Sequence, residues 1–133
     1  MVCYYCKSET SVINSRLQKK SNNVWRRRKC LSCGQYFTTI ESADLSQIIL
    51  VEDSSTNLEP FRRDKLFLSL ITCLDHTKNP FDSAKSLTDT IISKILLSKA
   101  DTKISTDYIK YLTIPVIARF DKLAADKYAS KRL

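Results

Sequence analysis

The chain has 133 residues, 43% hydrophobic and 27% charged, a balance that excludes a disordered chain and leaves room for one or two small domains. Its formal net charge of +8 is unevenly placed: residues 1–43 hold eight Lys or Arg against Glu9 and Glu41, a net of +6, while the other 90 residues carry only +2. A single glycine excludes a Walker loop and a dinucleotide fingerprint, and around the single histidine, His76, no nucleophile and base can be assembled, so no enzyme is expected.

The chain opens on Cys3-Tyr4-Tyr5-Cys6, and a second hook, Cys30-Leu31-Ser32-Cys33-Gly34, follows after 23 residues. Each hook offers two thiolates from one tight turn, and this spacing lets the two pairs close around a tetrahedral zinc. A redox Cys-x-x-Cys or a disulfide pair is the alternative. The N-terminus lacks a charged-then-apolar leader and no apolar stretch approaches a membrane span, so a cytoplasmic setting is expected, where reduced thiols favour zinc. Cys73 is left over and, on an apolar helical face, reads as core packing.

Between the hooks, Ser11 to Arg16 reads as a strand, Gln18 to Asn23 as a polar turn and Val24 to Lys29 as the returning strand. Gln35 to Ile40, rich in aromatic and β-branched residues, reads as a third strand. Gly34 lies just past the second hook, where a positive φ turns backbone amides toward sulfur. Lys7 holds the equivalent place after Cys6, so the first hook turns at a conformational cost or in another geometry. Alternation places Trp25, Arg27 and Lys29 on one face and Arg26 and Arg28 on the other. So many cations in a metal-stapled domain of about 40 residues point to a polyanion, and arginine suits phosphates and guanine edges.

Further on, Gln47 to Val51 reads as a strand and Asp53 to Asn57 as a turn. A helix follows from about Arg62, with Leu66, Phe67, Leu70, Ile71 and Leu74 on one stripe, and Asn79-Pro80 breaks it. His76 falls at its frayed end. Asp82 or Ser83 is expected to cap a second helix with Ala84, Leu87, Ile91 and Ile95 on its face, widened by Ile92 and Leu96. A third begins near Ser105 or Thr106, buries Ile109, Leu112, Val116 and Phe120, and is expected to kink at Pro115. Asp121 caps a last one through Leu123, Ala124 and Tyr128. The fold class is therefore α+β: a small all-β zinc ribbon, then a mostly helical domain with a β-hairpin.

These residues resemble the NrdR-type bacterial repressors of ribonucleotide reductase genes from Cys3 to about Ser130. The resemblance rests on the opening Cys-x-x-Cys, on Val12-Ile13-Asn14-Ser15-Arg16, on Arg26-Arg27-Arg28-Lys29-Cys30-Leu31-Ser32-Cys33-Gly34 and on Phe37-Thr38-Thr39-Ile40-Glu41. Beyond these, Glu59-Pro60-Phe61 with Lys65-Leu66 looks like an ATP-cone element. The resemblance implies two domains. Residues 1–43 are then a zinc ribbon with Cys3, Cys6, Cys30 and Cys33 on zinc, and with Arg16, Arg26, Arg27, Arg28 and Lys29 toward double-stranded operator DNA. Residues 47–133 are then an ATP-cone that senses ATP and dATP through Val51, Glu59 and Lys65 and sets a homo-oligomeric state. The chain departs from the family's pattern at Glu52 and Asp53, acids where a phosphate-binding Lys is expected, at Leu58, and in Ala124 to Leu133, which lacks two tyrosines of the family. An acid beside a triphosphate turns attraction into repulsion, which leaves two expectations: assembly controlled by nucleotide, and assembly without sensing.

Overall fold

The computed structural model describes residues 1–98 and 102–131. The chain divides into two compact units, one of residues Met1–Ala43 and one that begins at Asp44.

Unit 1 is a three-stranded antiparallel sheet in the order β1 (Thr10–Gln18), β2 (Asn23–Cys30), β3 (Tyr36–Glu41). The expected strands are all present, each a residue or two longer or shifted at its ends. Asn22, at φ 52°, makes the β1–β2 turn, a conformation that asparagine tolerates better than most residues. One feature is not legible in the sequence: β1 pairs Val12 with Arg28 but Asn14 with Arg27, so Ile13 is an extra, bulged residue. Because the side-chain period along a strand is 2, that insertion moves every later β1 residue to the opposite face.

Unit 2 opens with a 3₁₀ turn, Leu45–Gln47, capped by the Asp44 carboxylate, which accepts from the Ser46 amide at 3.1 Å. The expected strand from Gln47 is therefore shorter. β4 is Leu50–Glu52, because Asp44 offers the preceding amides a local partner that competes with a ladder. β4 pairs antiparallel with β5 (Leu58–Pro60) and parallel with β6 (Lys103–Ser105), giving the order β5-β4-β6. The hairpin turn is organised by Asp53, whose carboxylate accepts from the amides of Ser55 (2.8 Å) and Asn57 (2.9 Å), with Thr56 at φ 66°.

Four α-helices complete the described part of unit 2. α1 (Arg63–Ile71) ends earlier than expected, and Leu74 is buried from the turn beyond it. α2 (Pro80–Leu97) corrects the expected cap: Asn79 is the N-cap and Pro80 the first helical residue, where its missing amide costs nothing, while Asp82 lies in the first turn. Ala84, Leu87, Ile91 and Ile95 are buried as expected, but Leu96 is exposed. α3 (Thr106–Phe120) is capped by Ser105, whose hydroxyl accepts from the Tyr108 amide at 3.0 Å. It runs unbroken through Pro115, which sits on the exposed side with Tyr111, the residue whose carbonyl loses its helical amide donor. Thr113 and Ile117 are buried here, whereas Phe120 is 51% exposed and Leu112 half-buried. α4 (Lys122–Ala129) is capped by Asp121 and buries Ala124, Ala125 and Tyr128, leaving Leu123 outside.

The core lies between α1, α2, α3, α4 and the inner side of β4, with Leu70, Leu74, Ile91, Ile95 and Ile117 at or near zero exposure. Cys73 is buried there as expected, its thiol donating to the Ser69 carbonyl at 3.4 Å. His76 is better anchored than a frayed helix end: its Nε2 is 3.0 Å from the Asp121 carboxylate and its Nδ1 3.3 Å from Lys127. It ties the α1–α2 connection to α4. Arg132 and Leu133, the end of the stretch that departs from the resembled pattern, lie outside the described residues.

Candidate functional site

The two hooks meet beside the cysteine end of β2. Cys3, Cys6, Cys30 and Cys33 place their four sulfurs within 4.8 Å of one another, with Cys3 and Cys30 buried and Cys6 and Cys33 exposed. The Cys3–Cys33 and Cys6–Cys30 sulfur pairs are 3.8 and 3.4 Å apart. Tetrahedral zinc with bonds of about 2.3 Å spaces its thiolates by about 3.8 Å, so this donor set fits the metal.

Each hook is closed by its own backbone. The Cys3 amide donates to the Ser8 carbonyl (2.8 Å) and the Cys30 amide to the Gln35 carbonyl (2.9 Å). The Tyr5 amide donates to the Cys3 sulfur at 3.3 Å, and the Ser32 and Cys33 amides to the Cys30 sulfur at 3.4 Å. Gly34 supplies the positive φ, 74°, and Lys7 adopts the same conformation at 65°, so the first hook makes its turn at a conformational cost rather than by another geometry.

The acidities of the thiols spread apart. Ser8, through its hydroxyl and then its amide, pulls Cys6 down to about 6. The Cys33 amide lowers Cys30. Cys33 goes the other way, to about 12: the Gln35 amide opposes the rise, but burial and the sulfurs of Cys30, Cys6 and Cys3 overcome it. Four thiolates at this separation repel one another, and a divalent cation among them removes the conflict.

From this cluster the cationic strand β2 runs back through the middle of the sheet. Register places Arg16, Trp25, Arg27, Lys29 and Tyr36 on one face. There the Arg27 guanidinium lies 5.0 Å and the Lys29 ammonium 5.6 Å from the Tyr36 ring, and Arg16 lies 6.0 Å from the Trp25 ring. Arg26 and Arg28 take the other face, as alternation implied. Arg26 is ion-paired with Glu41. Arg28 donates from Nη1 to the Thr10 hydroxyl at 3.3 Å, while its Nε is buried without a hydrogen-bond partner among the described residues. The five cations named from sequence are thus divided between two faces. Ser8, Thr10 and Tyr36 do not stand out in the sequence, because their partners come from other strands or from the far side of a turn.

In unit 2, Val51, Glu59 and Lys65 do come together. They line one cleft of about 650 Å³, mouth included, with an apolar floor of Phe61, Leu66, Ile109 and Tyr128 and a rim that adds Arg62, Ser69 and Thr106. Lys65 is ion-paired with Glu59 across that rim. The two departing acids are also engaged: Glu52 pairs with Lys103 at 3.3 Å, and the Asp53 carboxyl, held below the usual carboxylate pKa range first by the Asn57 amide, serves its own turn. Arg62 and Tyr128 are not foreseen as cleft residues by sequence reasoning; they reach the cleft from an N-cap position and from α4.

Small zinc ribbons are built in this way, from thiol pairs gathered at the end of a short antiparallel sheet, and that is the class of protein that unit 1 defines. Residues 1–41 match the family described as "Transcriptional repressor NrdR-like, N-terminal domain". Similarity extends along almost the whole chain to proteins named Transcriptional repressor NrdR. The chain is 34% identical over 130 residues to that of Chlamydia felis, covering 97% of this chain and 84% of the relative. It is 33% identical over 131 residues to that of Streptococcus gordonii, covering 98% and 82%. With that of Symbiobacterium thermophilum the identity is 31% over 130 residues, covering 98% and 85%. The chain belongs to the NrdR family of transcriptional repressors. Among the described residues no helix is long and apolar enough to cross a membrane.

Proposed function

We propose that this repressor binds duplex operator DNA through a zinc-bound ribbon, residues 1–43, and that residues 47–133 take ATP or dATP and set the number of chains that assemble. Cys3, Cys6, Cys30 and Cys33 hold the zinc. The metal supplies the cross-link that a sheet of this size cannot obtain from burial alone. Among Arg16, Arg26, Arg27, Arg28 and Lys29 are the cations that displace counterions from the duplex. The work takes place in the cytoplasm, where reduced thiols are available to the metal.

The observation that carries this reading is the gathering of four sulfurs within 4.8 Å at the end of the strand that bears four consecutive cations. For the second domain, support comes from Val51, Glu59 and Lys65 lining one cleft whose apolar floor suits a flat ring and whose rim carries the cations Arg62 and Lys65, which suit a phosphate. Calorimetry with ATP and with dATP, paired with sedimentation of the same samples, tests it. Binding heat accompanied by a change in sedimentation is the expected result.

A second reading, assembly without sensing, is favoured by one feature: Lys65 is already neutralised by Glu59. Absence of heat with either nucleotide at high protein concentration, with self-association intact, would select that reading.

A further inference from the structure

We infer that duplex DNA meets one particular face of the ribbon, the face of Arg16, Trp25, Arg27, Lys29 and Tyr36, and that Arg26 and Arg28 are framework residues of the opposite face. The inference rests on the proposed DNA-binding function and assigns its contact surface.

Charge decides first. The strand positions of the Tyr36 face carry three cations and, among the described residues, no Asp or Glu. The other face carries two cations and Glu41, and its remaining positions include the apolar Val12, Val24 and Phe37. A polyanion is attracted to the first and finds an acid on the second. Availability points the same way. Arg16, Arg27, Lys29 and Tyr36 are exposed, whereas Arg26 is half-buried in its pair with Glu41, and Arg28 cannot offer its buried Nε to a phosphate.

The bulge is what assembles this face. In an unbulged β1, Arg16 would fall opposite Val24 and share its face; the extra residue Ile13 instead sets Arg16 opposite Trp25, alongside Arg27 and Lys29. Tyr36 then acts as a positioning residue. Its ring lies 5.0 Å from the Arg27 guanidinium and 5.6 Å from the Lys29 ammonium, which restricts two long side chains on the side where the duplex docks.

The test uses the full zinc-loaded chain and a mixed-sequence 40-base-pair duplex, with the unpaired strand as a parallel probe. Trp25 is the chain's only tryptophan, so its emission reports directly on this face. Saturable change of that emission with duplex is expected. In salt titrations, Arg16→Gln, Arg27→Gln and Lys29→Gln should each reduce the slope of log affinity against log salt by about 0.9, while Arg26→Gln and Arg28→Gln leave it unchanged. Tyr36→Ala should weaken duplex binding several-fold with zinc content intact, and Tyr36→Phe should restore it. If Arg28→Gln loses its zinc, Arg26→Gln alone serves as the control for that face.

Loss of slope in the Arg26 or Arg28 variants with none in Arg16 or Arg27 would assign DNA to the other face and leave the DNA-binding function standing. Tighter binding of the unpaired strand than of the duplex would replace the proposed partner. No binding of either probe at low salt would remove the function itself and the face with it.

Discussion

Single residues fix the two turns on which the metal site depends, and they do so unequally. Gly34 and Lys7 share the left-handed conformation, and a Cβ built at Gly34 would meet nothing within 4 Å, so the penalty there is purely conformational. Gly34→Ala should therefore lower the denaturation free energy of the zinc-loaded ribbon by about 1–2 kcal/mol, measured by denaturant titration. Lys7→Gly should raise it by less than that, because the Lys7 ammonium, 5.9 Å from the Tyr4 ring, is lost with it. In unit 2 the carboxylates of Asp53, Asp75 and Asp121 are held below the usual carboxylate range. The first causes are the Asn57 amide for Asp53, the Lys127 ammonium for Asp75 and the Ala124 amide for Asp121. A depressed folded value means that the unfolded chain takes up the proton first as pH falls. Their stabilisation is thus complete above about pH 4 and is lost as pH drops through the lowered values. Thermal melts across pH 2–7 should show a plateau and then an acid decline, and Asp121→Asn should make that decline shallower.

At the level of strands and helices, legibility follows the length of the pattern. The 18-residue α2 repeats its apolar positions often enough that the spacing of Ala84, Leu87, Ile91 and Ile95 by itself marks them as core. The hooks are legible because cysteine pairs at this spacing have few other uses. Short features are not. β6 has three residues, fewer than two periods of a strand, and is recognisable only beside β4. The bulge at Ile13 exists only in relation to the register of β2, and the grouping of Arg16 with Arg27 and Lys29 depends on it. Leu96 and Phe120 are overcounted as core by periodicity, because an apolar residue at a helix end continues the period after the packing surface has stopped. The strength of the two units also differs. Cys3 and Cys30 are the buried apolar residues of unit 1, whereas unit 2 buries a continuous cluster from Ile49 to Tyr128. A strong chelator should therefore unfold residues 1–43 and spare unit 2, seen as protease cleavage confined to the N-terminal segment with helical far-UV signal retained. Survival of the ribbon's protease resistance after metal removal would contradict the zinc site.

Taken together, unit 1 carries +6 of the chain's +8 charge and unit 2 is nearly neutral, and the proposed function divides the work between them, a DNA-gripping part and a part that sets when it grips. The cleft of unit 2 carries this division only if ligand binding there changes assembly, and its Lys65–Glu59 pair must open for a phosphate to use the ammonium. Glu59→Gln should therefore tighten nucleotide binding several-fold by calorimetry, because the rim then keeps Lys65 and Arg62 without the opposing acid. The central claim is that the metal-held ribbon is what binds DNA, and one titration tests it most directly. The full chain, zinc-loaded and then chelated, is titrated with a duplex carrying the reductase promoter of the same genome at several salt concentrations. Tight binding that weakens steeply with salt and disappears with the metal is the expected result, and affinity unchanged by chelation or indifferent to salt would contradict it.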